Sequence, residues 1–243
     1  MKNVRVLLDN PEGAVNLGFI ARAMANTGFL ELYLTGRLNP DDKTARKYAL
    51  AAGNILDSAV RCENFDSLIS NADRLVGISM RTPQTETSDI HLSELPAYIN
   101  DCAGKGLTVG LLFGNEKAGI PNAHLSFCSS FVSLDTTDIF PSMNLAQAVL
   151  TVLWQIKDVK PKQKADVVYA DRSLHNALQD KLRQFLDTFG CLNPQNPDKI
   201  MDEIRQSVES KFLTAREAQL LLSVLGKAMA EHNNLIKKMT QKS

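Results

Sequence analysis

Two groups of residues have the types and spacing that could do chemistry together. Glu116 lies between Gly114 and Gly119, and a carboxylate in so crowded a loop needs a partner because an unpaired charge is costly to bury. Arg22 is the natural partner, and it lies one helical turn beyond Gly18 on one face of a predicted helix. This pair would aim a permanently protonated guanidinium at a substrate. The alternative is a tolerated glycine, a solvated arginine and two glycines that only form tight turns.

A second polar group could meet the first. Asn16 precedes an apolar helical stripe. Ser142 and Asn144 lie at the start of another helical run, which begins near residue 143. Amide and hydroxyl side chains at such positions are favoured as N-caps, because they accept hydrogen bonds from the free backbone N–H groups. They could equally bind a ligand. Both interpretations remain open from the residues alone.

The elements around these residues predict where they meet. A buried strand at 107–113 leads into the glycine loop at 114–121, and a second apolar run at 131–134 leads into the polar loop at 135–142. In open α/β sheets, small ligands bind where the carboxyl ends of strands lead into such loops. A ligand site is therefore expected between the two loops.

The rest of the first 157 residues alternates between strands and helices. This alternation predicts a mostly parallel sheet that is covered on both faces. The expected strands are 4–8, 32–34 and 74–79, and the expected helices are one from Leu17 to a stop at Gly28, one at 42–52 that ends at Gly53, one at 65–72 and one at 92–102.

The pattern changes after Trp154. A polar, proline-interrupted stretch at 158–166 predicts a linker between a domain at 1–157 and a small all-α domain at 167–243. The second domain should contain a long amphipathic helix that Gly190 stops and a shorter one around 200–208. Its last helix should begin at a capping box formed by Thr214 and Glu217.

Composition narrows the class of protein. The net charge is zero, although the first 160 residues carry three more acidic than basic residues and the rest three more basic than acidic. The four cysteines are far apart and the histidines are isolated, so no metal site or disulfide framework is expected. We expect a cytoplasmic protein without signal peptide or membrane span. No Gly-x-Gly-x-x-Gly follows the first strand, which argues against a conventional dinucleotide site.

Three stretches together resemble the SPOUT class of RNA methyltransferases, and within it the TrmH-like 2′-O-ribose methyltransferases, most closely the TrmJ branch. They are NLGFIAR at 16–22, FGNEKAGI at 113–120 and PSMNLAQAV at 141–149, in the order of the family. The resemblance implies a SPOUT fold with a deep trefoil knot after Leu107. It also implies S-adenosyl-L-methionine as cofactor, a homodimer and an RNA substrate, with a cytidine or uridine in the tRNA anticodon loop as first choice.

The resemblance further implies roles for individual residues. Arg22 corresponds to the catalytic arginine, which the family description treats as a general base. Since a guanidinium stays protonated, we expect it to orient the ribose hydroxyl and stabilise the developing alkoxide. The catalytic set is Arg22, Asn16, Glu116, Ser142 and Asn144. The cofactor-binding set is Ser79, Met80, Arg81, Phe113, Gly114, Gly119, Leu134, Ile139, Pro141, Ser142, Met143 and Leu145.

The substrate stays open at this stage. The TrmJ branch carries an arginine-rich helix near residues 204–212, and this chain is less basic there. The alternatives are a methyltransferase that acts on ribosomal RNA, one that methylates a base rather than a ribose, and a non-catalytic RNA-binding or assembly protein with the same fold. If the C-terminal helices hold RNA, the phosphate contacts would come from Lys181, Arg183, Lys199, Arg205, Lys211 and Arg216.

Overall fold

A single parallel sheet organises the protein. The structure is a computed structural model, and it describes residues 3–79, 89–134, 136–137, 139, 142–160, 166–192 and 195–240. Within these residues, seven parallel strands run in the order β3-β2-β1-β6-β4-β7-β5. The strands are β1 (Val4–Leu8), β2 (Leu32–Leu34), β3 (Val60–Arg61), β4 (Arg74–Ser79), β5 (Asp89–Ile90), β6 (Val109–Phe113) and β7 (Ser130–Ser133).

Helices cover both faces of this sheet, as the alternating pattern predicted. Val4, Val6 and Leu8 of β1 join one apolar core, and Leu7 joins a second core on the opposite face. The first core is covered by α1 (Ala14–Thr27), α2 (Lys43–Ala49), α3 (Gly53–Asp57), α5 (Leu95–Gly104) and α7 (Leu145–Ile156), and the second by α4 (Phe65–Ile69) and α6 (Asn122–Leu125).

The position of β6 determines where the loops meet. It lies between β1 and β4, so that Leu8 and Ile78 both align with Phe113 at the carboxyl end of β6. The three strands therefore end side by side. The trefoil knot that the family resemblance implies stays a prediction.

Helix α1 begins earlier than expected. Gly13 is its N-cap and Asn16 is its third residue, so the expectation that Asn16 caps a helix starting at Leu17 was wrong. A carboxylate outside the helix accepts a hydrogen bond from the backbone N–H of Gly13 and supports the earlier start. Gly28 ends the helix with φ +79°, as predicted, because glycine adopts this conformation without strain.

Several other element boundaries also differ from the predictions. The expected helix at 42–52 is interrupted at Leu50, whose φ is +51°, and Gly53 begins α3 instead of ending a helix. Asp42 caps α2 through the backbone N–H groups of Thr44 and Ala45. The two-residue strands β3 and β5 are too short for a periodic pattern.

Three further helices form the C-terminal part: α8 (Arg172–Thr188), α9 (Pro197–Glu209) and α10 (Ala215–Thr240). The predicted capping box is present, since Glu217 accepts from the Thr214 backbone N–H at 2.8 Å and donates its own N–H to the Thr214 hydroxyl at 3.2 Å. Gly190 follows α8 with φ +64°. None of the described helices is long and apolar enough to cross a membrane.

A buried arginine joins two of these helices to each other and attaches them to the sheet. Arg172 Nη1 lies 2.9 Å from Glu209 Oε1, and the two side chains are 4% and 1% exposed. Arg172 also donates to the carbonyl oxygens of Ala72 and Asp73, directly before β4. The C-terminal helices are thus packed onto the sheet rather than held as a loose appendage. The predicted domain boundaries themselves stay a prediction.

Candidate active site

The carboxyl ends of β4 and β6 open into a cavity of about 1670 Å³. The loop at 114–120 forms one wall, and Ser142, Met143 and Leu145 at the start of α7 form another. Helix α9 closes the opposite side. The cavity therefore lies where the two loops were predicted to meet.

The loop at 114–120 holds its shape through its own backbone. Asn115 and Gly119 exchange two backbone hydrogen bonds of 3.1 and 2.9 Å, and Gly119 has φ +72°. The Asn115 side chain accepts from the backbone N–H of Lys117 at 2.9 Å. A Cβ on Gly114 would lie 2.0 Å from the carbonyl carbon of Gly119, which excludes any other residue there. Both glycines are therefore needed by the turn itself.

Glu116 is held at the start of α1. Its carboxylate accepts from the backbone N–H groups of Glu12 and Gly13, both at 2.9 Å, and from the side-chain amide of Asn16 at 3.0 Å. Burial raises the pKa of Glu116, but these hydrogen bonds outweigh it and lower the pKa below its usual value. The carboxylate is therefore charged at neutral pH. The expected ion pair with Arg22 is not formed, since Glu116 is paired with Asn16 and backbone N–H groups instead.

Asn144 extends this contact into a chain of three residues. Its side-chain amide donates to the Asn16 side-chain oxygen at 2.8 Å, and Asn16 in turn donates to Glu116. The Asn144 side-chain oxygen caps α7 through the backbone N–H of Ala146 at 2.9 Å. Asn144 is therefore both a helix cap and a member of the polar chain, and its expected role in binding a ligand stays a prediction.

Arg22 lies on another side of α1. It follows Asn16 by six residues, and at 3.6 residues per turn these two side chains point in different directions. Its guanidinium lies 5.6 Å from the ring centroid of Phe19, one turn earlier, and it does not line the cavity of its own chain. This geometry is why Arg22 cannot meet Glu116 within one chain.

Gly18 permits a close helix contact, but with α2 rather than with a ligand. A Cβ at this position would lie 2.5 Å from the backbone oxygen of Ala45. The backbone of α2 thus approaches Gly18 closely, and this contact fixes α1 against α2.

The remaining predicted cofactor residues divide into three groups. Leu134 is buried in the core and Ile139 is 94% exposed, and neither lines the cavity. Met80, Arg81 and Pro141 lie outside the described residues. The residues that do line the cavity are Ser79, Phe113, Gly114, Gly119, Ser142, Met143 and Leu145.

Sequence reasoning missed the wall that α9 supplies. Nothing in the types of its residues identifies what they face. Hydrogen bonds of Ser126 with Asp202 and Arg205 hold α9 beside the cavity. The wall includes Asp198, Lys199, Asp202, Glu203, Ile204, Gln206, Ser207 and Val208, with Ser210 and Lys211 just after the helix.

Comparison with known proteins identifies the family. Residues 3–154 match the model of the SpoU rRNA Methylase family. The chain belongs to this family. A tRNA (cytidine-2′-O-)-methyltransferase TrmJ of Methanocaldococcus jannaschii is 29% identical over 227 residues, which are 90% of this chain and 97% of that protein. The SpoU assignment confirms the family resemblance drawn from the three motifs.

Solved structures of related proteins share the fold. The crystal structure of TrmJ from Z. mobilis ZM4 has a TM-score of 0.81 at 24% identity, and it covers 92% of this chain and 98% of that one. An AdoMet-bound rRNA methyltransferase from Sinorhizobium meliloti has a TM-score of 0.51 at 20% identity, covering 64% of this chain and 56% of that one. The similarity to TrmJ thus includes the C-terminal helices as well as the SpoU domain.

Proposed function

We propose that this SpoU-family protein transfers a methyl group from S-adenosylmethionine to the 2′-oxygen of a cytidine or uridine ribose in tRNA. The observation that supports it most is the set of hydrogen bonds from Asn144 to Asn16 and from Asn16 to Glu116 beside the cavity. These three residues come from the three family motifs, one from each. The choice of tRNA rests on the similarity to TrmJ over nearly the whole chain.

The cavity has the chemistry that an adenosine-containing cofactor needs. Phe113, Met143 and Leu145 offer apolar surface, and Ser79 and Ser142 offer hydroxyl groups at its edge. The backbone of the 114–119 loop adds polar groups without side-chain bulk. When bound, the cofactor supplies a methyl group already activated by the sulfonium, so this chain must provide alignment and electrostatic stabilisation.

A second copy of the chain would complete the site. Val15 and Phe19 on α1 are 38% and 39% exposed, and Leu150 and Trp154 on the adjacent α7 are 39% and 59% exposed. These apolar side chains form a surface that a homodimer would bury. Arg22 shares the face of α1 with Val15 and Phe19, so its guanidinium would enter the partner's cavity.

In that position Arg22 would act on the ribose. A protonated guanidinium can donate to the 2′-hydroxyl oxygen and orient it towards the methyl group. It would also stabilise the negative charge that develops on this oxygen as the oxygen–methyl bond forms, the methyl–sulfur bond breaks and the hydroxyl proton passes to a solvent water. Glu116 would not contact the ribose. Its charge would instead fix Asn16 and the start of α1, which carries Arg22.

The proposal also includes the trefoil knot, a cytoplasmic location and the division into domains at 1–157 and 167–243. The knot follows from the family and is compatible with the placement of β6 between β1 and β4. The hydrogen bonds of Arg172 to the carbonyl oxygens of Ala72 and Asp73 imply that the two domains act as one unit.

Methyl transfer to defined RNAs tests the function. The protein is incubated with isotopically labelled S-adenosylmethionine and either tRNA or rRNA, and the nucleosides are separated by mass spectrometry. Labelled 2′-O-methylcytidine or 2′-O-methyluridine from tRNA is expected. Label in a base, or in rRNA alone, would assign a different substrate, and cofactor binding without transfer to any RNA would favour a non-catalytic role.

A further inference from the structure

Two partly exposed arginines of the C-terminal helices are already paired. Arg183 lies 2.9 Å from Asp198, and Arg205 lies 2.7 Å from Asp202. The Arg205 guanidinium also lies over the ring of Phe127, 4.1 Å from its centroid. A phosphate could contact these two arginines only by displacing their carboxylates, so they are weaker candidates for RNA binding than the sequence suggested.

Two arginines at the carboxyl edge of the sheet, in contrast, form no ion pair among the described residues. Arg37 follows β2 and Arg61 ends β3, and both side chains are exposed. Within the described part of the chain, no carboxylate lies within ion-pair distance of either one. Arg61 donates to the carbonyl oxygen of Gly36 at 3.2 Å, which leaves its positive charge uncompensated.

Most acidic groups near this edge are engaged elsewhere. Asp9 is 5% exposed and its carboxylate lies 2.6 Å from His124 Nδ1. Asp41 and Asp57 both pair with Arg46, the latter at 2.7 Å. None of these three carboxylates therefore pairs with Arg37 or Arg61.

Two further charged residues nearly balance each other. Glu63, two residues after Arg61, is an exposed carboxylate outside the ion pairs of the described residues, and Lys43 at the start of α2 is an exposed cation in the same situation. Neither residue forms an ion pair with Arg37 or Arg61 among the described residues, so both guanidinium groups can pair with a phosphate.

A continuous set of contacts joins this edge to the active site. Arg61 binds Gly36, whose Cα packs against the Asn10 side chain, since a Cβ there would lie 2.3 Å from Asn10 Oδ1. The backbone oxygen of Asn10 accepts from the Asn115 side chain at 2.9 Å, and Glu116 comes next in sequence. Three strand spacings separate β3 from β6, a distance of about 14 Å.

We infer that Arg37 and Arg61 bind the phosphate backbone of the RNA substrate and guide it across the ends of β3, β2 and β1 towards the cavity. Planar guanidinium groups bind phosphate oxygens through two parallel hydrogen bonds. The inference rests on the proposed function and adds to it a docking surface on the SpoU domain itself.

The test compares the double variant Arg37→Ala/Arg61→Ala with the wild-type protein and with Lys227→Ala, which removes an exposed cation from α10. Binding of fluorescent tRNA is measured between 50 and 200 mM salt. Each phosphate contact changes affinity about threefold over this range, so the wild type should lose about tenfold more affinity than the double variant. Lys227→Ala should behave as the wild type.

Activity and cofactor binding complete the experiment. The double variant should raise the KM for tRNA about tenfold at low salt and change kcat less than about twofold, since phosphate contacts position the RNA without taking part in chemistry. Calorimetry should give an unchanged Kd for S-adenosylmethionine, which also shows that the variant is folded.

The outcomes separate this inference from the proposed function. An unchanged salt response in the double variant, with wild-type protein that methylates tRNA, overturns the inference and leaves the function standing. A larger effect from Lys227→Ala than from the double variant overturns it as well and assigns RNA binding to the C-terminal helices. A wild-type protein that neither binds nor methylates tRNA overturns both.

Discussion

Asn16 and Glu116 are joined by a hydrogen bond of 3.0 Å although they lie 100 residues apart in the sequence. Asn16 also accepts from Asn144, so its amide is used on both sides. The start of α1, the loop after β6 and the start of α7 are therefore fixed by one side chain. Such support is what holds catalytic groups within the small tolerances that chemistry requires.

Replacing Glu116 with Gln should disturb this arrangement. The Gln amide would face either the Glu12 or the Gly13 N–H group, which now donates to a carboxylate oxygen. We expect kcat/KM to fall about 100-fold, because small misplacements of positioned groups have effects of this size. Thermal unfolding should show a loss of about 1–2 kcal/mol. Glu231→Gln on α10 serves as the matched control, and equal effects of the two changes would contradict the role of Glu116.

Arg22 should affect turnover but not cofactor binding. Arg22→Lys keeps a positive charge but loses the planar set of donors, and Arg22→Ala loses both. Removal of one such donor is expected to lower kcat by about 100- to 1000-fold. Because Arg22 does not line the cavity of its own chain, calorimetry should give an unchanged Kd for S-adenosylmethionine. A matching loss of cofactor affinity would place Arg22 in the cofactor site instead.

Mixed dimers test whether two chains share one site. If Arg22 serves the partner's cavity, Arg22→Ala chains and chains with Met143→Trp, which fills the cavity, are each inactive alone, but a heterodimer contains one cavity with both residues intact. Unfolding and refolding an equal mixture should recover about a quarter of wild-type activity, since half of the dimers are then heterodimers. Recovery at the level of the single variants would show that each chain works alone.

Trp154→Glu, which charges the exposed face of α7, should give monomers by light scattering.

Replacing only Arg172 of the buried Arg172–Glu209 pair should lower the free energy of unfolding more than replacing both residues. Arg172→Met leaves the Glu209 carboxylate, 1% exposed, without its cationic partner and should lower the free energy of unfolding by about 3–5 kcal/mol. The double variant Arg172→Met/Glu209→Met should regain at least half of this loss in urea unfolding. A double variant as unstable as the single one would mean that the contacts of Arg172 with the carbonyl oxygens of Ala72 and Asp73 dominate.

His175 should make stability depend on pH. Burial lowers the pKa of His175 below its usual value of 6.5, Arg74 and Arg172 lower it further, and Glu209 and Asp171 oppose them. The unfolded chain therefore binds the proton first, so this contribution to stability is present above pH 6.5 and is lost as the pH falls through the lower folded-state pKa. Urea unfolding at pH 7.5 and 5.5 should show a smaller difference for His175→Gln than for the wild type. Gln179→Leu changes a residue one helical turn from His175 that does not titrate. It should therefore change the free energy of unfolding by the same amount at pH 7.5 and at pH 5.5.

Strand positions were predictable where apolar residues form short, compact runs. The strands Val4–Leu8, Leu32–Leu34 and Arg74–Ser79 match their predicted bounds. The stop at Gly28 and the capping box at Thr214 were also predictable, because both depend on chemistry within a few residues. A sequence pattern predicts features like these because they depend on interactions between residues close in sequence.

Contacts between distant residues account for what the sequence did not predict. Asn16 has the side chain of a helix cap, but the carboxylate of Glu116 supports an earlier helix start, and this releases Asn16 for the polar chain. Arg22 and Glu116 were expected to pair because their charges match, yet helix geometry places them apart. The wall formed by α9 depends on hydrogen bonds of Asp202 and Arg205 with the distant Ser126, which no local pattern indicates.

The central place of β6 has a consequence for how the protein is made. During synthesis, β1 and β4 leave the ribosome well before Val109–Phe113, the segment that must lie between them. Until then each has an edge without its final neighbour, and the nascent chain must keep the gap open. Since such late, long-range pairing slows folding and exposes strand edges, we expect slow refolding and a need for chaperones in this protein.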